Sequence, residues 1–404
     1  MGKYSFDEII PRRGTGSVKY DLGPQMTGRD DLLPMWVADM DFKLPEEVLS
    51  VIRARVDHGI FGYTSPDDRY YDVLTAWFKK RYGWEISREW NTVVGGVVYG
   101  VTQAVRALTQ PGDAVMIQEP VYYPFRSSIE GNGRVCVNHP LKRNADGRYE
   151  MDLPGMEETI RRNNVKAMVL CSPHNPVSRV WTREELAALD ALCRGLGVRM
   201  IVDEIHCDFI YPGHTFVPFG TLGEESLMNA VICTAPSKTF NIAGLSVSNI
   251  LIANPELRKA FRAAHGANGG GGSNAVGLTA ARAVYEFGEA WLDELLEYLW
   301  GNVQFVREFL EERLPQVRLT PSEGTYLLWM EFSEVVQDDA ELKTLLRDQA
   351  RLWLDEGEMF GPGGERFARM NIACPRSIVQ QAMEQLAEAI DARTAAEPQN
   401  TEKI

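Results

Sequence analysis

The chain has 404 residues, more than one hydrophobic core ordinarily organises, so two domains are expected. Acidic residues outnumber basic ones 56 to 42, and the formal charge of −14 argues against nucleic acid or an anionic membrane surface as a partner. The apolar runs are too short to span a bilayer and the amino terminus carries no hydrophobic signal core, so the expected location is the cytoplasm.

In chain order, residues 1–50 are rich in Gly, Pro and Asp and weakly periodic, which predicts an amino-terminal arm that forms part of a smaller domain. Residues 51–290 form the expected large domain. There, β-rich runs at 92–94, 114–118, 167–171, 200–202, 230–234 and 248–253 alternate with helix-like stretches. Such alternation predicts an α/β fold, a mostly parallel sheet between helices, with ligands beyond the carboxyl ends of the strands. Leu292, Leu295, Leu299, Val303, Val306 and Leu310 then fall at three- and four-residue steps, the pattern of a long amphipathic helix linking the domains. A small α+β domain over 291–391 should contain strands at 326–332 and 367–373 and helices at 340–356 and from 377 to about 390; the polar residues 392–404 predict a disordered tail. The six cysteines have no CxxC spacing and are expected to be reduced and mostly buried.

Three strand ends carry polar chemistry. The run 167–171 leads into Ser172-Pro173-His174-Asn175-Pro176, the run 200–202 into Asp203-Glu204, and the run 230–234 into Ala235-Pro236-Ser237-Lys238-Thr239. Asp203 follows Asn175 by 28 positions and precedes Lys238 by 35. A lone lysine after a strand is ordinarily a solvated group, and Asp-Glu after a strand ordinarily caps a helix. Together, an amine for a Schiff base, an acid to keep a pyridine nitrogen protonated and an amide for a ring hydroxyl oxygen are what pyridoxal 5'-phosphate (PLP) requires.

These motifs resemble fold type I PLP enzymes of the aspartate aminotransferase (class I/II) superfamily, and the likeness extends over nearly the whole chain. Four segments are similar to its MalY/PatB-type cystathionine β-lyase (C–S lyase) branch: Leu33-Pro34-Met35-Trp36-Val37-Ala38-Asp39-Met40-Asp41-Phe42, Pro120-Val121-Tyr122-Tyr123-Pro124-Phe125, the stretch from Ala235 through Lys238 to Leu245, and Arg369-Met370-Asn371-Ile372-Ala373-Cys374-Pro375-Arg376. The resemblance implies a homodimer with shared sites. It assigns Lys238 to the Schiff base, Asp203 to the ring nitrogen, Asn175 to the ring hydroxyl oxygen and Tyr122 to the ring face. The phosphate would be held by Gly96, Val97 and Val98, by the Ser237 hydroxyl, and by Tyr63 from a second subunit. Arg369 would bind the substrate carboxylate, with the backbone near Asp39 and Met40 completing that subsite.

The chain departs from the wider superfamily at three positions. Ser246 stands where many aminotransferases place an Arg on the phosphate, Ser178 where the Asn-Pro turn continues with Gly, and His206 where aspartate aminotransferase has a Tyr on the ring hydroxyl oxygen. The spacing of His206, Cys207 and Asp208 fits no common metal-ligand pattern, and a supporting role beside the cofactor is expected for His206. The run Gly269–Gly272 suits either a flexible lid or a close backbone approach.

In the chemistry implied, Lys238 removes the substrate Cα proton as a general base. Expulsion of a thiolate from Cβ then gives pyruvate and ammonia, while protonation on the cofactor side gives a keto acid. A C–S β-lyase acting on cystathionine or related cysteine conjugates is the first expectation and an aminotransferase the second. A PLP-binding regulatory protein acting through a protein partner is the third.

Overall fold

The computed structural model describes residues 2–396. The chain divides into two compact units: the first comprises residues 2–4, 43–296 and 323–325, the second residues 5–42, 297–322 and 326–396.

The first unit is built on a seven-stranded sheet: β1 (Asn91–Val94), β2 (Ala114–Ile117), β3 (Val135–Asn138), β4 (Val165–Cys171), β5 (Arg199–Asp203), β6 (Ala230–Thr234) and β7 (Ser248–Leu251). Their order in space is β1-β7-β6-β5-β4-β2-β3, with β7 antiparallel to both of its neighbours and the remaining pairs parallel. The middle strands are apolar on both faces, as a sheet covered on both sides requires. The helix α1 (Val97–Leu108) buries Val97, Val101, Ala104 and Val105 on one side of this sheet. It lies close because Gly100 faces β7: a Cβ there would stand 2.4 Å from the Ile250 side chain. Strand β3 was not foreseen. It is an edge strand with Val135 exposed, and it owes its conformation to pairing with β2 rather than to a two-residue pattern of its own.

The long helix (α2, Glu289–Arg313) has the expected stripe, with Leu292, Leu295, Leu299, Val303 and Val306 all fully buried. The second unit holds an antiparallel sheet of β8 (Arg318–Leu319), β9 (Leu327–Glu331), β11 (Asp355–Glu356) and β12 (Phe367–Asn371), in the order β8-β9-β12-β11. A further strand, β10 (Leu352–Trp353), pairs in parallel with Leu33–Pro34 of the arm.

That pairing overturns the helix expected over 340–356. Helix persists only over Asp339–Thr344 and in a widened turn at Leu345–Gln349; Arg351 then adopts φ 54° and the chain turns into β10 and β11. The apolar residues from 352 onward are spent on strand pairing, and Trp353 stacks on Trp36 at 4.2 Å between ring centroids. Two boundaries also move. The arm ends at residue 42, because residues 46–57 form a helix with Val48 buried that packs on Ala275–Phe287 within the first unit. The last helix, Arg376–Ala396, continues through 392–396, where a tail was expected; 397–404 lie outside the described residues.

Candidate active site

Because β4, β5 and β6 are adjacent and parallel, their carboxyl ends lie side by side. Cys171 is in register with Asp203, and Asp203 with Cys233. Past these ends the backbones remain tied: Ser172 N–H donates to the Asp203 carbonyl and Glu204 N–H to the Cys233 carbonyl, both at 2.9 Å. Three residues from separate stretches of chain therefore lie at neighbouring carboxyl ends of the sheet: Asn175 in the loop after β4, Asp203 at the end of β5, and Lys238 just after β6 on the four-residue helix Pro236–Thr239.

Asp203 and Asn175 are buried and Lys238 is half-buried. Burial pushes the Asp203 carboxyl up to about 7, against the opposing pull of the Ile205 N–H, which donates to it at 3.0 Å, and of the Lys238 charge. A buried carboxyl so raised is poised to ionise when a cation comes opposite it, which is what a protonated pyridine ring offers. The Asn175 backbone is fixed by its N–H, 3.5 Å from the Cys171 sulfur. Tyr122 is partly buried, edge-on to Phe125 and against the same apolar cluster that α1 covers.

At the start of α1, Gly96 is the residue before the helix and Val97 its first. Apart from the adjoining residues of the chain, no protein atom lies within 4 Å of where a Cβ on Gly95 or Gly96 would stand, which leaves a phosphate room to approach the N–H groups of this helix end. Acid, amine, amide and clear helix terminus together fit PLP. Ser246 lines a cleft of about 360 Å³ with Gly95, Tyr99, His265, Gly270 and Asn274. Within the glycine run a Cβ on Gly270 would stand 2.1 Å from the His265 ring, whereas a Cβ on Gly269, Gly271 or Gly272 would stand in open space.

Ser178 takes φ 59°, the left-handed conformation a glycine would adopt without strain, and its hydroxyl donates to the Gly324 carbonyl at 2.7 Å. His206 is buried beside Phe209, while Tyr63 is fully exposed. Among the described residues, no three His, Cys, Asp or Glu side chains are arranged to hold a metal ion.

The expected carboxylate subsite lies within the second unit. Arg369 is buried on β12; it donates to the Asp355 carboxylate and to the Trp36 carbonyl, with the Phe360 ring 4.9 Å from its guanidinium carbon. The arm backbone is occupied as well: Asn371 Nδ2 donates to the carbonyls of Val37 and Asp39, both at 2.6 Å. The Asp39 carboxylate is gripped by both terminal nitrogens of Arg12, which also donates to the carbonyl of the buried Met40 at 3.1 Å.

Residues 31–390 match the family model described as aminotransferase class I and II. The chain belongs to this family. It is 42% identical to cystathionine beta-lyase PatB of Bacillus subtilis (strain 168), over 96% of this chain and all of that one. Among solved structures it is similar to cystalysin from Treponema denticola, which contains PLP (TM-score 0.93, 35% identity, 96% of this chain and 99% of that one). The PLP-bound C–S lyase from Staphylococcus hominis is also similar (TM-score 0.89, 34% identity, 96% and 98% of the two chains). The class I and II likeness, the α/β fold and the branch inferred from sequence motifs agree with these comparisons.

Sequence reasoning left three buried acids without a role, Glu204 and Asp208 in the first unit and Asp355 in the second. Glu204 is fully buried, its Oε1 accepts from the Phe219 N–H at 2.7 Å, and burial raises its carboxyl to about 8. Asp208 accepts from two hydroxyls, and Asp355 partners Arg369. The sequence marks Glu204 and Asp208 only as acids after a strand-like run and Asp355 only as an acid in an expected helix; their burial depends on the packing around them.

Proposed function

We propose that this protein is a cytoplasmic, homodimeric, PLP-dependent C–S β-lyase that cleaves cystathionine or related cysteine conjugates to a thiol, pyruvate and ammonia. The convergence of Asn175, Asp203 and Lys238 at three adjacent parallel strand ends carries this reading. The likeness to proteins named for this activity selects the β-lyase outcome. Bound PLP supplies an imine linkage and an electron-accepting ring.

The chain's own residues do the rest. Lys238 Nζ would hold the cofactor and would serve as the base that accepts the substrate Cα proton. The Asp203 carboxylate keeps the ring nitrogen protonated, Asn175 orients the ring oxygen and Tyr122 stacks on the ring face. The N–H groups at the start of α1 and the Ser237 hydroxyl hold the phosphate. Arg369 binds the α-carboxylate through the planar fork that suits it. The Cβ–S bond then breaks with its electron pair leaving on sulfur, and water releases pyruvate and ammonia from the carbon skeleton.

A second copy of the chain is proposed to bring Tyr63 to the phosphate. The exposed run Ile60, Phe61 and Tyr63 supports this, because such a patch is better covered than left in water. All six cysteines are free and five are buried, which suits a reducing compartment.

The deciding experiment incubates the pure PLP-loaded protein with L-cystathionine and no keto acid. Sustained formation of pyruvate and homocysteine is the expected result. Stalling after one equivalent, with turnover restored by added keto acid, would indicate an aminotransferase. Binding of PLP without either reaction would leave a regulatory role. Borohydride should fix the cofactor to Lys238, and Lys238→Ala should fold but lose multiple turnover.

A further inference from the structure

Asp208 lies five positions beyond Asp203 and is buried together with its neighbours Cys207 and Thr239. Both of its oxygens are used. The Tyr82 hydroxyl donates to Oδ1 at 2.5 Å and the Thr239 hydroxyl to Oδ2 at 2.7 Å; the Cys207 sulfur stands 3.2 Å from the same Tyr82 hydroxyl. Arg81 and Asp293, themselves ion-paired at 2.6 Å, also act on this carboxyl, and Tyr285 feels its charge. Burial raises the Asp208 carboxyl, while the two hydroxyl donors and Arg81 oppose that rise.

Thr239 is the residue next to Lys238 and closes the helix Pro236–Thr239. Four residues are too few for a helix to hold itself in place. This one has no side-chain cap at its start, and its backbone bonds onward, such as Phe240 N–H to the Pro236 carbonyl at 2.9 Å, are local. A rigid placement of Lys238 therefore has to come from outside the helix. The Thr239–Asp208 bond supplies one such tie, and it reaches back to the segment that follows β5, the strand ending in Asp203. A charged acceptor makes a shorter and stronger O–H···O bond than a neutral amide, which gives a reason for an acid at a buried position where the cofactor chemistry already has its acid in Asp203.

We propose that Asp208 is a positioning residue for Lys238: through Thr239 it fixes the lysine-bearing helix against the end of the strand that presents Asp203, setting the distance between amine and acid. The inference rests on the cofactor reading above, and its test separates the two.

The test compares Thr239→Val, which removes the hydroxyl at nearly constant volume, with Thr239→Ser, which keeps it, and with Asp208→Asn. Each is studied as holoenzyme at saturating PLP. Thr239→Val should lower kcat by about tenfold to a hundredfold, the loss expected from a misplaced reacting group, with KM changed by less than about threefold. The pH midpoint of the bound cofactor's visible absorption should move by about half a unit or more, since the surroundings of the imine nitrogen change. Thr239→Ser should restore both quantities, and Asp208→Asn should shift the midpoint too.

A merely structural tie would lower the melting temperature and leave both kcat and the spectral midpoint unchanged, and that result overturns the proposal. If Thr239→Val fails to fold, the midpoint of Asp208→Asn decides on the same terms. Borohydride labelling of wild type at a lysine other than Lys238 would sink the cofactor reading and this inference together. Labelling at Lys238 with unmoved midpoints would sink this inference alone.

Discussion

At the residue scale, two groups convert environment into measurable behaviour. Position 246 is Ser where many aminotransferases place a phosphate-binding Arg; in the proposed site the phosphate rests on neutral donors, and a hydrogen bond to a charged group contributes on the order of 1.5–3 kcal/mol. Ser237→Ala should thus weaken PLP binding by about one to two powers of ten, with turnover recovered at saturating cofactor; unchanged affinity in a cofactor titration would remove Ser237 from the phosphate site. The buried acids Asp203 and Glu204 predict how the apoprotein responds to pH. Burial raises them to about 7 and about 8, so from their unfolded values near 4 up to those values the folded state binds more protons than the unfolded one. Their contribution to stability is complete at low pH and is lost as pH rises toward 8. Thermal melts of apoprotein should show this fall flattened in Glu204→Gln and Asp203→Asn. Bound PLP should reduce the Asp203 share, because a positive ring nitrogen then compensates the carboxylate. An apoprotein slope that is the same in both variants as in wild type would refute the assignment.

At the element scale, the amino-terminal arm is held to its own unit by buried charge as much as by apolar packing. The Asp41 carboxylate receives Lys19 Nζ at 2.8 Å, the Tyr20 hydroxyl at 2.9 Å and Arg12 at 2.6 Å, and its own N–H donates to the Ala373 carbonyl. Burial pushes this acid up, but Lys19 and Arg12 outweigh that and keep it below the usual carboxylate range. Asp41→Ala would leave the buried Lys19 without a counter-charge and should lower stability by about 3–5 kcal/mol in urea unfolding. A loss under about 1 kcal/mol would mean that water reaches Lys19, as at an exposed pair. The same arm explains why the helix pattern fails after residue 350. Leu352 and Trp353 satisfy their backbone by pairing with Leu33 and Pro34, and that strand partner lies more than three hundred positions away in the sequence.

For the whole molecule, the proposed dimer makes cofactor retention depend on protein concentration. Tyr63 can serve the phosphate of a second copy only while the copies are associated, so dilution below the dimer dissociation constant should release PLP and activity together. Light scattering should give twice the chain mass at working concentration, and Tyr63→Phe should weaken PLP binding without dissociating the dimer. A monomer with full activity would contradict the shared site.

The sequence by itself determined the alternation of strands and helices, the stripe of α2 and the identity of Asn175, Asp203 and Lys238 as the residues to watch, because apolar periodicity and polar residues after strands are written locally. It also carried the family, through segments spread along the chain. Strand order belongs to the tertiary structure: nothing local says that β4, β5 and β6 lie side by side, and only that order brings Asn175, Asp203 and Lys238 to neighbouring strand ends. The edge strand β3 and the paired strand β10 exist because a distant partner completes their hydrogen bonds. The protonation tendencies of Asp203, Glu204 and Asp208 are set by burial, and burial is a property of the packed molecule, since the same acid letter serves in a solvated turn or beneath a cofactor.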